Sequence, residues 1–230
     1  MNDKKSVLIT GSSRGLGREL ALKFAIEDYP VIIHGRDNQS IRQTSEKILS
    51  LEKCCFRVDG DLMGSGTIEY LKSISEKLGI SVLINNAVIH CPNIPLEQFE
   101  DKRVYDMIHT NLIAPILLTK KIFPIFIMQG YGTIININSL SGMENQKLRS
   151  VYSASKWGLR GFSNSLKLEA MNHNIKVINV FASRIKTRPE FSYGMEPEYV
   201  AGKIYEHWAS DQRGDLILDD RPIEFRRGRQ

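Results

Sequence analysis

Residues 6–17 read Ser6-Val7-Leu8-Ile9-Thr10-Gly11-Ser12-Ser13-Arg14-Gly15-Leu16-Gly17. The first five form an apolar, β-branched run that predicts a buried strand, and a helical pattern follows over residues 18–27, with Leu20, Phe24 and Ile26 facing inward. A strand, a glycine-rich turn and a helix in this order are the context of a phosphate-binding turn. Glycines let the backbone approach a pyrophosphate, and the free N–H groups of the helix start hold the anion. A tight turn that binds nothing is the alternative, but the flanking elements favour a nucleotide.

The alternation of strand and helix continues along the chain. Further strands are predicted at residues 31–36, 54–58, 81–87, 133–139, 175–181 and 215–219. Helices are predicted at residues 40–51, 67–78, 96–128 with an interruption near Pro115, 151–171 and 196–210. This pattern indicates an α/β fold of the Rossmann type, a doubly wound parallel sheet of about seven strands with helices on both faces. We expect a single dinucleotide-binding domain over residues 1–230, ending in a basic tail at residues 221–230.

The composition excludes several classes of protein. Apolar residues make up 42% and charged residues 25% of the 230, as in ordinary globular proteins. Cys54, Cys55 and Cys91 are too few for a disulfide scaffold, and no Cys/His spacing suits a metal, so we expect reduced thiols and no metal. The polar N-terminus and the absence of an unbroken apolar run of about 20 residues predict a cytoplasmic protein with no signal peptide and no membrane partner.

The net charge of +5 is a mild excess, part of which lies in the tail. No nucleic-acid-binding motif accompanies this charge, so we expect no nucleic-acid partner and interpret the tail as a solvated chain end. Its charged residues are Arg221, Arg226, Arg227, Arg229 and Glu224.

The end of the second strand bears on the choice of cofactor. In dinucleotide-binding folds an acidic residue about 20 positions after the glycine turn holds the ribose 2′-hydroxyl. Here the strand ends at Gly35-Arg36, and Arg36 with Arg14 of the first turn is suited to a 2′-phosphate, which favours NADP over NAD. Asp37 would oppose this if its carboxylate pointed inward. His34 is interpreted as structural.

A second pair of residues indicates acid/base chemistry. Tyr152 and Lys156 lie four apart in the predicted helix 151–171, so both side chains share one face. A nearby ammonium favours the phenolate and lowers the tyrosine pKa, as proton transfer at a carbonyl or alcohol requires. Such pairs also occur by chance on ordinary helix faces. The pair gains weight from its position, because ligands of doubly wound sheets bind beyond the carboxyl ends of the strands, where the glycine turn, Arg36, Asp61, Asn85-Asn86 and Ser139 are also predicted to lie.

Together these motifs resemble the short-chain dehydrogenase/reductase family, in particular its NADP-preferring members such as 3-oxoacyl reductases. The resemblance runs from Val7 to about Asp219, and the family's Thr-Gly-x-x-x-Gly-x-Gly turn stands at residues 10–17. It implies four catalytic residues: Asn111, Ser139, Tyr152 and Lys156. It implies cofactor contacts from Gly11, Ser13, Arg14, Gly15, Leu16, Gly17, Arg36, Asp61, Leu62, Asn86, Ala87, Tyr152, Lys156, Ile185 and Thr187.

The resemblance also implies a mechanism. A hydride would pass between the nicotinamide and a substrate carbon, while Tyr152 exchanges a proton with the substrate oxygen. Ser139 would hydrogen-bond that oxygen, Lys156 would lower the tyrosine pKa and contact the nicotinamide ribose, and Asn111 would keep a water that links Lys156 to solvent. Members commonly form homodimers or homotetramers, and packing residues are offered by Ile113, Ile116, Phe123 and Phe126.

Three departures from the family pattern carry expectations. Val88 replaces the glycine after Asn-Asn-Ala, so that turn is expected to run differently or move outward. Ala182-Ser183 replaces the Pro-Gly pair after the sixth strand, so the loop is expected to lose stiffness. The lid segment, residues 188–195, is short, so we expect an open site or a substrate held elsewhere.

The favoured function is an NADP(H)-dependent carbonyl reductase or alcohol dehydrogenase for a small molecule such as an oxoacyl thioester, a keto-sugar or a polyketide-like ketone. The alternative is a catalytically impaired dinucleotide-binding or scaffold protein on the same fold. Epimerase or dehydratase chemistry on a nucleotide sugar is less favoured, because the chain is too short for a sizeable substrate domain.

Overall fold

The computed structural model describes residues 4–64, 66–90, 93–187, 191–212 and 214–222. Cys91, the first part of the predicted lid (residues 188–190) and the tail from residue 223 onward lie outside the described residues.

Seven parallel strands form one sheet in the order β3-β2-β1-β4-β5-β6-β7, which confirms the predicted fold class. The order reverses between β1 and β4, and this is where the crevice of a doubly wound sheet opens. The observed strand bounds differ from the predicted ones by at most two residues, as is usual at strand ends. The strands are β1 (Ser6–Thr10), β2 (Val31–Gly35), β3 (Cys55–Asp59), β4 (Ile80–Asn85), β5 (Gly132–Ser139), β6 (Ile175–Ala182) and β7 (Leu216–Leu218).

Helices cover both faces of the sheet, because the strands are apolar on both sides. In β1, Val7 and Ile9 pack into one core with helices α1 and α7, whereas Leu8 packs into the other with α3, α5 and α6. Phe24 anchors the first core, with its ring 5.2 Å from that of Trp208. The helices are α1 (Gly15–Ile26), α2 (Asn38–Ser50), α3 (Thr67–Leu78), α4 (Asp101–Ile108), α5 (Ala114–Gln129), α6 (Ser150–Ala170) and α7 (Pro197–Ala209).

The long helical zone is continuous where an interruption was expected. It starts at Asp101 rather than residue 96, and α4 passes through a π-helical turn, His109–Ile113, directly into α5. Pro115 has no N–H to donate to the carbonyl four residues earlier, and the helix widens there rather than stopping. The 29 residues are long and apolar enough to cross a membrane by length and composition alone. Some of its apolar side chains are exposed, such as Leu117 and Met128. Five of them are fully buried: Met107, Ala114, Leu118, Ile122 and Phe126.

Candidate active site

A crevice of about 810 Å³ opens at the carboxyl edge of the sheet. Its walls are the glycine turn after β1, the ends of β2, β4 and β5, the start of α6 and the loop after β6. Every residue predicted to bind the cofactor or to act in catalysis lines it, with the single exception of Asn111. The sequence motifs, which are spread over residues 11–187, therefore meet in one place.

The glycine turn is packed too tightly for any side chain at two positions. A Cβ on Gly17 would lie 2.2 Å from the Gly11 carbonyl oxygen, and Gly11 itself has a positive φ of 67°. Asn86 braces the turn, because its side-chain amide donates to the carbonyls of Thr10 (2.9 Å) and Gly11 (3.1 Å). The turn thus leaves a backbone-lined cradle at the start of α1, which fits a pyrophosphate.

The two arginines predicted to select NADP both line the crevice. Arg36 pairs with Asp61 at 3.6 Å, and both side chains remain largely exposed. The carboxylate of Asp37 caps α2, where it accepts hydrogen bonds from the Ser40 hydroxyl and from the backbone N–H of Gln39. These bonds, together with the charge of Arg14, hold the Asp37 pKa below its ordinary value. The Asp37 carboxylate, which would oppose a 2′-phosphate if it pointed inward, therefore caps the start of α2 instead.

Tyr152 and Lys156 lie in the first two turns of α6, and both are buried. The Lys156 ammonium lies 5.7 Å from the centre of the Tyr152 ring and donates to the Ile137 carbonyl at 2.9 Å. Burial lowers the pKa of Lys156 to about 8, so the side chain is still mostly charged at pH 7. Ser139 ends β5 and lines the same crevice, and its hydroxyl oxygen accepts from the Ser141 N–H at 3.2 Å.

Asn111 lies behind the crevice, in the π-helical turn. Its side chain accepts from the Ile89 N–H (2.8 Å) and donates to the Ile89 carbonyl (3.0 Å), which holds the segment after β4 in place. The same amide lies 3.4 Å from the Ser155 hydroxyl of α6. Since Pro115 lacks an N–H, the Asn111 carbonyl is without its α-helical donor, a condition that suits the water-holding role expected for it.

The turn at Val88 avoids the backbone conformation that glycine would allow. Val88 has no positive φ, and its side chain is 48% exposed on the wall of the crevice. The chain then continues to Ile89, where Asn111 pairs with its backbone. The expectation that this turn runs differently from its family counterpart stays a prediction.

The loop after β6 is held by hydrogen bonds to the segment after β7, and the expectation that it loses stiffness stays a prediction. Strand β6 extends through Ala182, and the Ser183 N–H donates to the Leu218 carbonyl at 2.8 Å. The Ser183 hydroxyl donates to the Asp220 carboxylate, and the Asp220 N–H lies 3.4 Å from that hydroxyl. Hydrogen bonds thus join the start of this loop to residues 218–220, next to β7.

The described part of the lid contributes Phe191, Tyr193 and Gly194 to the wall of the crevice, and the expectation of an open site stays a prediction. Met195 pairs with Ile185, and the Arg184 guanidinium lies over the rings of Tyr193 (4.2 Å) and Phe191 (5.2 Å). The Phe191 ring is 5.6 Å from His90, which in turn is 6.3 Å from Tyr152. Aromatic contacts therefore connect the lid to the catalytic tyrosine candidate.

Sequence reasoning missed several residues that line the crevice. Arg221 was assigned to a solvated tail, but its guanidinium bonds to both Glu144 and Asp219. Asn138 holds Ser139 to α6, since it accepts from the Ser139 N–H (2.8 Å) and donates to the Lys156 carbonyl (3.2 Å). The signal for Asn138 was a polar residue within an apolar strand, which requires buried partners. Other missed residues include His90, Gln146, Arg149, Arg184 and Asp220.

The sequence is similar to known proteins over most of its length. Residues 5–193 match the family model described as short chain dehydrogenase. The chain belongs to the short-chain dehydrogenase family. This confirms the resemblance drawn from the motifs, and the family comprises oxidoreductases that act on carbonyl or alcohol groups with a nicotinamide dinucleotide.

Individual members of the family give the degree of similarity. Ketoacyl reductase HetN of Nostoc sp. is 30% identical over 95% of this chain and 80% of its own. The 3-oxoacyl-[acyl-carrier-protein] reductase FabG of Buchnera aphidicola is 34% identical over 80% of this chain and 75% of its own. A metagenomic short-chain oxidoreductase solved in complex with NADP superposes with a TM-score of 0.84 at 27% identity, covering 95% of this chain and 97% of that one.

Proposed function

We propose that this short-chain dehydrogenase is an NADP(H)-dependent oxidoreductase that interconverts a carbonyl and a secondary alcohol, with Tyr152 as the acid/base residue. The observation that carries this proposal is the convergence of the glycine turn with Ser139, Tyr152 and Lys156 in one crevice. The names of the relatives, which include ketoacyl and 3-oxoacyl reductases, support this substrate class.

In this proposal each side chain has a distinct task. Tyr152 gives a proton to the substrate oxygen in reduction and takes it back in oxidation. The Ser139 hydroxyl donates a hydrogen bond to the same oxygen, and the Lys156 ammonium favours the phenolate. The nicotinamide, when bound, supplies or accepts the hydride. The Asn111 carbonyl holds a water on the path that returns protons to Lys156.

The cradle between Gly11 and Gly17 would hold the cofactor's pyrophosphate, and further proposed contacts are Ser13, Leu16, Leu62, Ala87, Ile185 and Thr187, which all line the crevice. Arg14 and Arg36 would bind the 2′-phosphate of NADP. Ile185 and Thr187 would lie beside the nicotinamide amide.

The cofactor preference can be tested at Arg36. Replacing Arg36 with Ala should raise the KM for NADPH about 10-fold to 100-fold, because a charge-assisted bond to the phosphate is lost. The KM for NADH should change less than about 2-fold. The matched control is Arg42→Ala, which removes an exposed arginine of α2 that pairs with Glu46. A wild-type preference for NADH would refute the assignment of both arginines.

The catalytic role can be tested at Tyr152. Tyr152→Phe should abolish turnover of a panel of ketones followed at the NADPH absorbance band, while NADPH fluorescence still reports cofactor binding. Tyr105→Phe, at an exposed position on α4, serves as the control. Turnover that survives in Tyr152→Phe would remove this residue from the chemistry.

The competing proposal is a dinucleotide-binding protein without catalysis, favoured by Val88 and Ala182-Ser183 in place of the family's usual residues. It predicts cofactor binding without turnover of any ketone or alcohol. The hydrogen bonds from Ser183 to Leu218 and Asp220 weaken this alternative, since they hold the loop against the segment after β7.

We further propose that the protein is a cytoplasmic homodimer or homotetramer that associates through α5 and α6. Of the packing residues expected from the sequence, Ile113 is exposed on this face whereas Phe126 lies in the core. Comparing the sedimentation coefficient of the wild type with that of the Ile113→Glu variant tests this assembly.

A further inference from the structure

Arginines surround the substrate side of the crevice, and two of the three are already engaged. Arg221 is bonded to two carboxylates, and Arg184 is stacked on Tyr193 and Phe191 of the lid. Arg149 is different. Its Nε donates to the neutral side chain of Asn93 at 3.0 Å, and no carboxylate of the described residues lies within ion-pair distance of it.

The position of Arg149 directs its charge at the reacting end of the site. It lies three residues before Tyr152 on the wall of the crevice, with the centre of its guanidinium 6.0 Å from the centre of the tyrosine ring. The bond from Nε to Asn93 fixes the plane of the guanidinium and leaves its two terminal nitrogens as donors. A planar group with two such donors matches the two oxygens of a carboxylate.

The start of the helix does not by itself favour an arginine at this position. Arg149 occupies the residue just before α6 and makes no capping hydrogen bond with its side chain. Ser, Thr, Asp and Asn are the residues that stabilise this position, and a cation opposes the helix dipole. The preceding residue, Leu148, has a left-handed backbone with φ of 64°, which is costly for a side chain other than glycine.

We propose that Arg149 binds a carboxylate of the substrate next to the reacting carbonyl, so that the natural substrate is an oxo acid or hydroxy acid rather than a neutral ketone or a thioester. The proposal rests on the function proposed above. Because the guanidinium lies so close to Tyr152, the anionic group must be only a few bonds from the oxygen that receives the proton. A phosphate separated from a thioester by a whole pantetheine arm does not meet this condition.

Aromatic rings lie beside Arg149 at this end of the crevice. The Phe191 ring lies 5.6 Å from His90, and His90 lies 6.3 Å from Tyr152. Since the bond from Arg149 to Asn93 is exposed, the two-point geometry of the guanidinium, rather than burial, would select a carboxylate. The carboxylate would also fix the orientation of the carbonyl toward Ser139 and Tyr152.

The test compares 3-oxobutanoate with its methyl ester, which differ in one negative charge, in NADPH oxidation assays. Arg149→Ala should raise the KM for the acid about 10-fold to 100-fold and change that for the ester less than about 2-fold. Arg149→Lys should recover part of the loss. The control Lys147→Ala removes the same charge from an exposed position two residues away that does not line the crevice, and should change neither KM.

Two results overturn the proposal. One is a wild type that prefers the ester. The other is an Arg149→Ala variant that loses activity equally on both compounds with a shifted pH profile, because Arg149 would then act on Tyr152 and not on the substrate.

A binding experiment separates this proposal from the function on which it rests. If the wild type reduces neither compound, saturation-transfer NMR with and without NADP⁺ measures whether it binds the acid in preference to the ester. A preference that disappears in Arg149→Ala supports the carboxylate site even though the proposed reaction fails. Equal binding of acid and ester overturns the site.

Discussion

The buried charge of Lys156 should destabilise the cofactor-free protein. Burial lowers the pKa of this side chain from its ordinary value of 10.5 to about 8. Between these two values the unfolded chain binds a proton that the folded chain does not, so the free energy of unfolding rises with pH. Below about pH 8 both states are protonated, and the whole cost of burying the ammonium is present.

The difference between the two pKa values corresponds to about 3 kcal/mol. Replacing Lys156 with Met removes this cost but leaves the Ile137 carbonyl without its donor, which costs about 1–3 kcal/mol. We therefore expect Lys156→Met to be more stable than the wild type at pH 7 by up to about 2 kcal/mol. The wild type should then gain about 2 kcal/mol relative to the variant between pH 7 and pH 9.5.

The assay is urea unfolding of both cofactor-free proteins at pH 7, 8 and 9.5. All other titrating groups are shared, so the difference between the two curves isolates Lys156. Lys147→Met, at an exposed position, is the control, and its free energy of unfolding should change with pH as that of the wild type does. If the free energies of unfolding of the wild type and Lys156→Met also change with pH by the same amount, the pKa of the buried ammonium is not lowered and the reasoning is wrong.

Three further outcomes test the packing around the site. Gly17→Ala should abolish NADPH fluorescence enhancement, because its Cβ meets the Gly11 carbonyl, whereas Gly161→Ala, with open space around it, should bind normally. Asp220→Ala should weaken NADPH binding about 2-fold to 10-fold through loss of the bond from Ser183, with unchanged binding disfavouring this role. Phe24→Ala should lower the free energy of unfolding by about 3–5 kcal/mol in urea titrations, and a smaller loss would mean that the core refills the space.

Local sequence patterns were sufficient for the fold and for most of the site. The strands are apolar on both faces and the glycine turn has its own spacing, so each is recognisable without knowledge of distant contacts. Because parallel strands bring their carboxyl ends to one edge, placing Ser139 at the end of β5 also placed it near Tyr152. The position of Asp37 was left open, since its role depends on whether its carboxylate turns to the helix or to the crevice.

The features that the sequence did not predict depend on contacts between distant segments. Arg221 looks like part of a basic tail until the fold brings Glu144, 77 residues away, against it. The lid contacts the wall of the crevice through Phe191 and His90, which are about a hundred residues apart in the chain. Neither partner can be identified from periodicity or spacing.

The two departures from the family pattern are compensated by neighbouring residues in different ways. At Val88 the backbone avoids left-handed geometry, and Asn111 secures the next residue through both of its hydrogen-bonding groups. At Ser183 a hydroxyl reaches Asp220 after β7, so the C-terminal segment becomes part of the wall of the crevice. The same segment continues into Arg221, which is bonded to Glu144 in the loop after Ser139. In place of the family's local Pro-Gly pair, this chain has contacts that link the loop after β5, the loop after β6 and residues 219–221, so the segment after β7 is a structural part of the site.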